Sequence, residues 1–179
     1  NQLGGQLQLA NKPPKKEKIN WLINYLKNQI TKLGVEIRYN TPATIEVLKE
    51  LDPYAVFVAQ GAVPIVPKSI PGIDGEKVLT CADVLSGKAK LKDKKVAVIG
   101  SGMTGIETAH LLAADNNHVS IFEMQDEIGP GVYFQNLIDV MKHMESLEVE
   151  MYPKHKLIEI DGNTAIFENS QTNERENYD

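Results

Sequence analysis

Val96-Ala97-Val98-Ile99-Gly100-Ser101-Gly102-Met103-Thr104-Gly105 is the stretch on which the reading of this chain turns. Four apolar residues of buried-strand type run straight into G-x-G-x-x-G. Helix-like sequence follows from Met103 to Ala114. Residues 119–122 form a second apolar run and deliver Glu123, 18 residues past the last glycine. A bare glycine motif says little. One that leaves a strand, opens a helix and is followed about 20 residues later by an acid marks a dinucleotide site.

Each position has a physical job. Gly100 permits the tight turn, and Gly102 leaves room for the backbone to approach a pyrophosphate. Gly105 lets the helix lie close on the strand, with Ala109 keeping that contact small one turn later. The N–H groups of the turn and helix start, at Ser101, Met103 and Thr104, face the phosphates together with the positive end of the helix dipole. Glu123 is expected to accept both ribose hydroxyls and to repel a 2′-phosphate. Neither Met124 nor Gln125 is a cation that would reverse that preference, so NADH is favoured over NADPH.

The bulk of the sequence is that of a soluble globular protein, with 42% hydrophobic and 24% charged residues over 179 positions. That length holds one ordinary domain or two small ones. A net charge of −5 argues against nucleic acid as a partner. No apolar run approaches the ~18 residues of a membrane span, and the first residues are polar rather than signal-like. Cys81 is the one cysteine, which excludes an internal disulfide, a C-x-x-C pair and a cluster held by this chain alone. A cytoplasmic location is the simplest expectation.

Outward from the motif, residues 1–10 read as a loop around Gly4-Gly5, and Pro13-Pro14 as a helix entry. Residues 17–33 form an amphipathic helix closed by Gly34, with Trp21 and Tyr25 expected in the core beside its apolar face. Strands are expected at 35–39 and 54–59, with a short helix capped by Thr44 between them. A Pro- and Gly-rich passage over 61–75 precedes one helical turn at 82–86. After Glu123 the pattern predicts a helix at 133–146 and strands at 149–152, 157–160 and 164–167. The last two are joined at Asp161-Gly162, and residues 168–179 read as a frayed end. The result is α/β with mostly parallel sheet. The first half begins in the middle of such a unit, as a piece cut from a longer chain would.

The order of motifs carries a resemblance. Leu3-Gly4-Gly5-Gln6-Leu7, then Val56-Phe57-Val58-Ala59-Gln60-Gly61-Ala62-Val63-Pro64, then Ile70-Pro71-Gly72, then the glycine turn with Ile106-Glu107-Thr108-Ala109, resembles the two-dinucleotide-binding-domain flavoproteins. Within these, the start Gly4-Gly5-Gln6-Leu7 with Ala10 and the stretch Phe122-Glu123-Met124-Gln125-Asp126-Glu127-Ile128 are particularly similar to the NADH:flavin oxidoreductases of the old yellow enzyme group, the 2,4-dienoyl-CoA reductase and enoate reductase type. The resemblance runs from Leu3 to about Phe167. It implies a Rossmann-like three-layer FAD/NAD(P)-binding fold, truncated, in which a nicotinamide-binding domain is inserted into an FAD domain. Residues 1–90 would be part of the FAD half and 91–179 most of the NAD(P)H half, without its final segment.

By the same likeness Gly4, Gly5 and Gln6 lie along the flavin dinucleotide. Ala59-Gln60-Gly61 forms a turn near the FAD, Thr44 sits where the backbone meets the adenine, and Glu107 is an acid near the nicotinamide end. Gln60 stands in place of a usual threonine, Tyr54 in place of an aspartate, and Asn117 in place of a glycine, tolerated because Asn accepts the left-handed region. The family's first glycine fingerprint, closing flavin segment, FMN barrel and [4Fe-4S] cysteines are not in this sequence. The chain is therefore expected to hold FAD weakly, to need the rest of its parent flavoenzyme as partner, and to supply no catalytic residue of its own.

Plainer readings exist. The glycines of 96–123 would serve packing alone in an ordinary βαβ unit, and Glu107 could be a solvated helix residue. Cys81 is a small, partly buried residue without a nucleophile's partners. His110, His118, His143 and His155 lack metal spacing and read as surface or capping residues, and the Lys12–Lys18 cluster as a solvated face. Two other functions share the pattern. One is an ADP-holding structural module of the trimethylamine dehydrogenase kind. The other, an S-adenosylmethionine methyltransferase, is disfavoured by the x-x-G spacing and the continuation Glu107-Thr108-Ala109.

Overall fold

The computed structural model describes residues 2–179. The first half is helical and open. A single turn, α1 (Leu7–Ala10), replaces the expected opening loop and is followed by α2 (Ile19–Lys32) and α3 (Ile45–Leu51). Thr44 caps α3 as its sequence predicts, accepting the Val47 N–H at 3.4 Å. Only Ile23 of α2 is buried. Trp21 and Tyr25, expected in the core, are 69% and 58% exposed, because none of the described residues packs on that face of α2.

The strands expected at 35–39 and 54–59 do not form. Neither segment pairs with another strand, and Tyr54, Phe57 and Val58 lie in solvent. Their composition is that of buried strands, but a strand needs a neighbour to take its N–H and C=O groups. None of the described residues supplies one. The Pro- and Gly-rich passage then folds back to the second half. Ile70 and Ile73 pack on Phe122, Leu157 and Phe167, and Ile160 N–H donates to Pro71 O at 2.9 Å.

Helix α4 (Cys81–Leu85) opens with a capping box in which Thr80 and Asp83 exchange hydrogen bonds. The Thr80 hydroxyl and the Lys88 ammonium hold the Asp83 carboxyl down to about 2. Leu85 is buried and Val84 joins the core of the following unit. The chain on the near side of residue 90 is thus packed against the chain beyond it.

That unit is β1 (Lys95–Ile99), α5 (Met103–Ala114), β2 (His118–Phe122), α6 (Phe134–Ser146) and β3 (Glu150–Tyr152). Its three strands form a parallel sheet in the order β1-β2-β3, with Val98 opposite Ile121. Ile106, Ala109, Leu112, Ile121 and Met144 make a dry interior between sheet and helices. The αL residue before β2 is Asn116, at φ 61°, rather than Asn117. Asn117 is instead buried, and its amide bonds Lys94 N, Leu91 O and Leu112 O, tying the connector to the end of α5.

A second, antiparallel sheet follows: β4 (His155–Asp161), β5 (Thr164–Asn169) and β6 (Arg175–Tyr178). The hairpin at Asp161-Gly162 forms as its sequence predicts, with Asp161 opposite Thr164. The expected frayed end is instead β6, paired to β5 from Ala165 opposite Tyr178 to Glu168 opposite Arg175. Polar residues suffice there because an edge strand needs only one apolar contact face. Tyr178 supplies that contact against Phe122, and its hydroxyl reaches Glu150 Oε2 at 3.3 Å.

Candidate dinucleotide-binding site

The glycine turn sits at the carboxyl end of β1, where open α/β sheets present their binding crevice. Gly100 has φ 94°, a region side chains avoid, and its N–H donates to Phe122 O at 2.8 Å, which fastens the turn to β2. Gly105 is buried in the first turn of α5. A Cβ there would lie 2.0 Å from Gly100 O, so this glycine is required by packing alone. Gly102 is the opposite case. It caps α5 with no side-chain hydrogen bond, and a Cβ on it would meet nothing within 4 Å. The leading N–H groups of α5 have no acceptors within the helix. They open onto a surface formed by Gly102, half-buried Met103 and exposed Thr104. An uncapped helix start behind a bare glycine fits an anionic pyrophosphate.

Glu123 ends β2 beside this turn and is 5% exposed. Its carboxylate is already engaged. Oε2 accepts the Ser101 N–H at 2.8 Å and the Ser101 hydroxyl at 2.9 Å, and Oε1 accepts the Gln125 N–H at 3.0 Å. Burial pushes the carboxyl up, but the hydrogen bonds from Ser101 and Gln125, with the dipole of the nearby Met124 N–H, outweigh it and hold the group below the usual glutamate range. Glu123 is thus a charged acid with one acceptor position left on Oε1, rather than a free fork for two hydroxyls. Ser101 is fully buried, so its side chain faces Glu123 and not the crevice.

Gly129, in the loop between β2 and α6, donates its N–H to the Ser101 hydroxyl at 2.9 Å. It sits at φ 77°, where a Cβ would press on Leu137. The clustered Gly129-Pro130-Gly131 was the one sequence signal for it. Glu107, on the outer side of α5, pairs with Lys16 at 2.5 Å. Beside them Lys15 bonds His143 Nε2, and His143 stacks on His110 with ring centres 5.5 Å apart. The lysine cluster of 12–18 is therefore in part an anchor to α5 and α6 rather than a wholly solvated face.

Two of the three candidate segments of the first half meet at one point. Gln6 Nε2 donates to Ala62 O at 2.5 Å, which brings Gly4-Gly5-Gln6 to the Ala59-Gln60-Gly61 turn across 56 residues. Both segments are otherwise open, with residues 59–61 exposed. Thr44 is exposed and spends its hydroxyl on its own helix. The structure does not bring it to the Gln6 contact.

A family model described as pyridine nucleotide-disulphide oxidoreductase matches residues 10–179. The chain belongs to that family. Among relatives, an NADH oxidase of Thermoanaerobacter brockii is 37% identical over 150 residues, covering 82% of this chain and 23% of the relative. A bilirubin reductase of Mediterraneibacter gnavus is 33% identical over 171 residues, 94% of this chain and 26% of the relative. Among solved structures, a 2-naphthoyl-CoA reductase superposes with a TM-score of 0.88 at 30% identity, over 98% of this chain and 26% of that one. The chain spans about a quarter of the length of these relatives. Membership in the family makes the fold an FAD/NAD(P)-binding Rossmann-like α/β fold. Among the described residues no helix is long and apolar enough to cross a membrane, and no group of His, Cys, Asp and Glu is arranged to hold a metal ion.

Proposed function

We propose that this chain is the pyridine-nucleotide-binding part of a flavin-dependent oxidoreductase of the old yellow enzyme group, in which NADH reduces a flavin. The observation that carries the reading is the uncapped start of α5 behind open Gly102, with a charged, buried Glu123 at the adjoining strand end. The turn from Gly100 to Gly105 holds the pyrophosphate, Glu123 takes the adenine-side ribose, and Glu107, held by Lys16, belongs to the nicotinamide end. Residues 91–179 form this NAD(P)H side. Residues 1–90 contribute Gly4, Gly5, Gln6, Thr44 and Ala59-Gln60-Gly61 to an FAD side. Bound NADH supplies the hydride, and the chain's part is to orient it and exclude water.

The exposure of residues 54–66 supports weak FAD binding by the chain alone, because none of the described residues covers that wall. The parent enzyme would carry FMN and a [4Fe-4S] cluster outside these residues and act on an α,β-unsaturated acceptor in the cytoplasm. Relatives named as reductases of bilirubin and of 2-naphthoyl-CoA support an organic acceptor.

Parallel titration with NADH, NADPH, ADP and FAD tests the reading. NADH is expected to bind most tightly, with NADPH weaker and FAD weakest. Failure of NADH to bind a folded chain at millimolar concentration overturns it. Thermal protection by ADP but not by NADH would replace it with a structural nucleotide-holding module.

A further inference from the structure

Ser101 has no exposed surface, and its hydroxyl is used in both directions: it donates to Glu123 Oε2 and accepts from Gly129 N–H, each at 2.9 Å. With the Ser101 and Gln125 N–H groups, three donors occupy the Glu123 carboxylate, two of them from one residue. A carboxylate has about four acceptor positions. Swinging it toward a ligand to offer both oxygens would break two bonds to Ser101.

We propose that Ser101 is the positioning residue that sets coenzyme specificity at this turn. It fixes Glu123 as a buried carboxylate with one open acceptor, which takes a hydroxyl of an unmodified ribose and refuses a ribose 2′-phosphate. The proposal rests on the nicotinamide-dinucleotide reading above. A ribose hydroxyl brings the proton that the open lone pair on Oε1 needs. A phosphate monoester brings only acceptors and a charge of about −1.5 to −2 against an anion. The side chains that follow on β4's approach are turned elsewhere: the Lys154 ammonium bonds Gln171, and His155 Nε2 reaches Glu176. Asp126 and Glu127 in the following loop add negative charge. The same hydroxyl joins the loop at Gly129 to the turn, so turn, acid and loop form one piece. Without it, burial acts on Glu123 against fewer hydrogen bonds, and the carboxyl takes up a proton at higher pH.

The test titrates the 179-residue chain, Ser101→Ala and Ser101→Cys with NADH and NADPH by calorimetry from pH 5.5 to 8, with circular dichroism to show folding. The unaltered chain is expected to prefer NADH roughly tenfold or more at pH 8, with an NADH affinity that is flat with pH. Ser101→Ala is expected to weaken NADH about tenfold, bring the two coenzymes toward parity, and make NADH affinity itself depend on pH. Ser101→Cys, a weak donor of similar shape, restores part of the preference. Unchanged affinity, ratio and profile in Ser101→Ala overturn the proposal and leave the dinucleotide reading standing. A folded, unaltered chain that binds neither coenzyme overturns the reading itself. Carbon-13 NMR of Glu123 in the unaltered chain decides without any variant: titration at or above the ordinary glutamate range removes the mechanism.

Discussion

Gly102 and Gly105 belong to one motif but do different physical work, and two substitutions separate them. Gly105→Ala forces a Cβ against Gly100 O at 2.0 Å, a backbone atom that cannot step aside. It is expected to destabilise the chain by about 2–3 kcal/mol in urea unfolding. Gly102→Ala meets open space at an ordinary φ of −61°. Its unfolding free energy is expected to stay within about 0.5 kcal/mol, while NADH affinity falls because the methyl group stands where the pyrophosphate approaches. Equal losses of stability in the two variants would refute this division. At this scale the motif was readable from spacing alone, since both glycines and the acid follow from backbone geometry. The engagement of Glu123 was not. It depends on which donors a neighbouring loop supplies, and Gln125 and Gly129 donate through backbone groups that carry no sequence signature.

Among the elements, α4 shows local chemistry that sequence states well. The Thr80–Asp83 capping box depends only on i, i+3 spacing. Its carboxyl at about 2 lies below the ordinary aspartate value, so the contribution it makes is present above about pH 4 and is lost as pH falls toward 2. Thr80→Val is expected to move the Asp83 titration upward in carbon-13 NMR, and an unmoved titration would show that the Thr80 hydroxyl is not the cause. The second sheet is a different matter. Phe167 is 1% exposed, stacked on Phe122 at 3.9 Å between ring centres, and shared by both sheets. Phe167→Ala is expected to destabilise by about 3–5 kcal/mol in the same unfolding experiment. The strand at β5 is legible in sequence from the apolar run over 164–167. The pairing of polar β6 with it is not, because its fixing contacts are to Phe122 and Glu150, far away in the chain.

Across the whole molecule, the open first half is joined to the compact second half by the docking of residues 70–73, by α4, and by the Lys15–His143 and Lys16–Glu107 contacts. His110 lies at this junction. Burial, then His143 and Lys15, hold its imidazole below the usual histidine value, against the opposing pull of Asp139 and Glu107. A base held low in the folded chain stabilises it fully above the unfolded value near 6.5 and loses that contribution as pH falls below it. The melting temperature is expected to drop between pH 7 and 5.5, and His110→Gln to flatten that slope; an unchanged slope would assign it to another group. Sequence by itself determined the β1–α5–β2 unit, its glycine turn, the caps and the hairpin, because each rests on contacts within a few residues or one periodic face. It also marked 35–39 and 54–59 as strand-like, which their composition is. Only the tertiary structure decided that these remain unpaired, that Trp21 and Tyr25 lie in solvent, and that Ser101 turns inward to hold Glu123. Pairing, burial and hydrogen-bond partners are properties of what lies alongside a residue in space, and distant parts of the chain supply or withhold that neighbour.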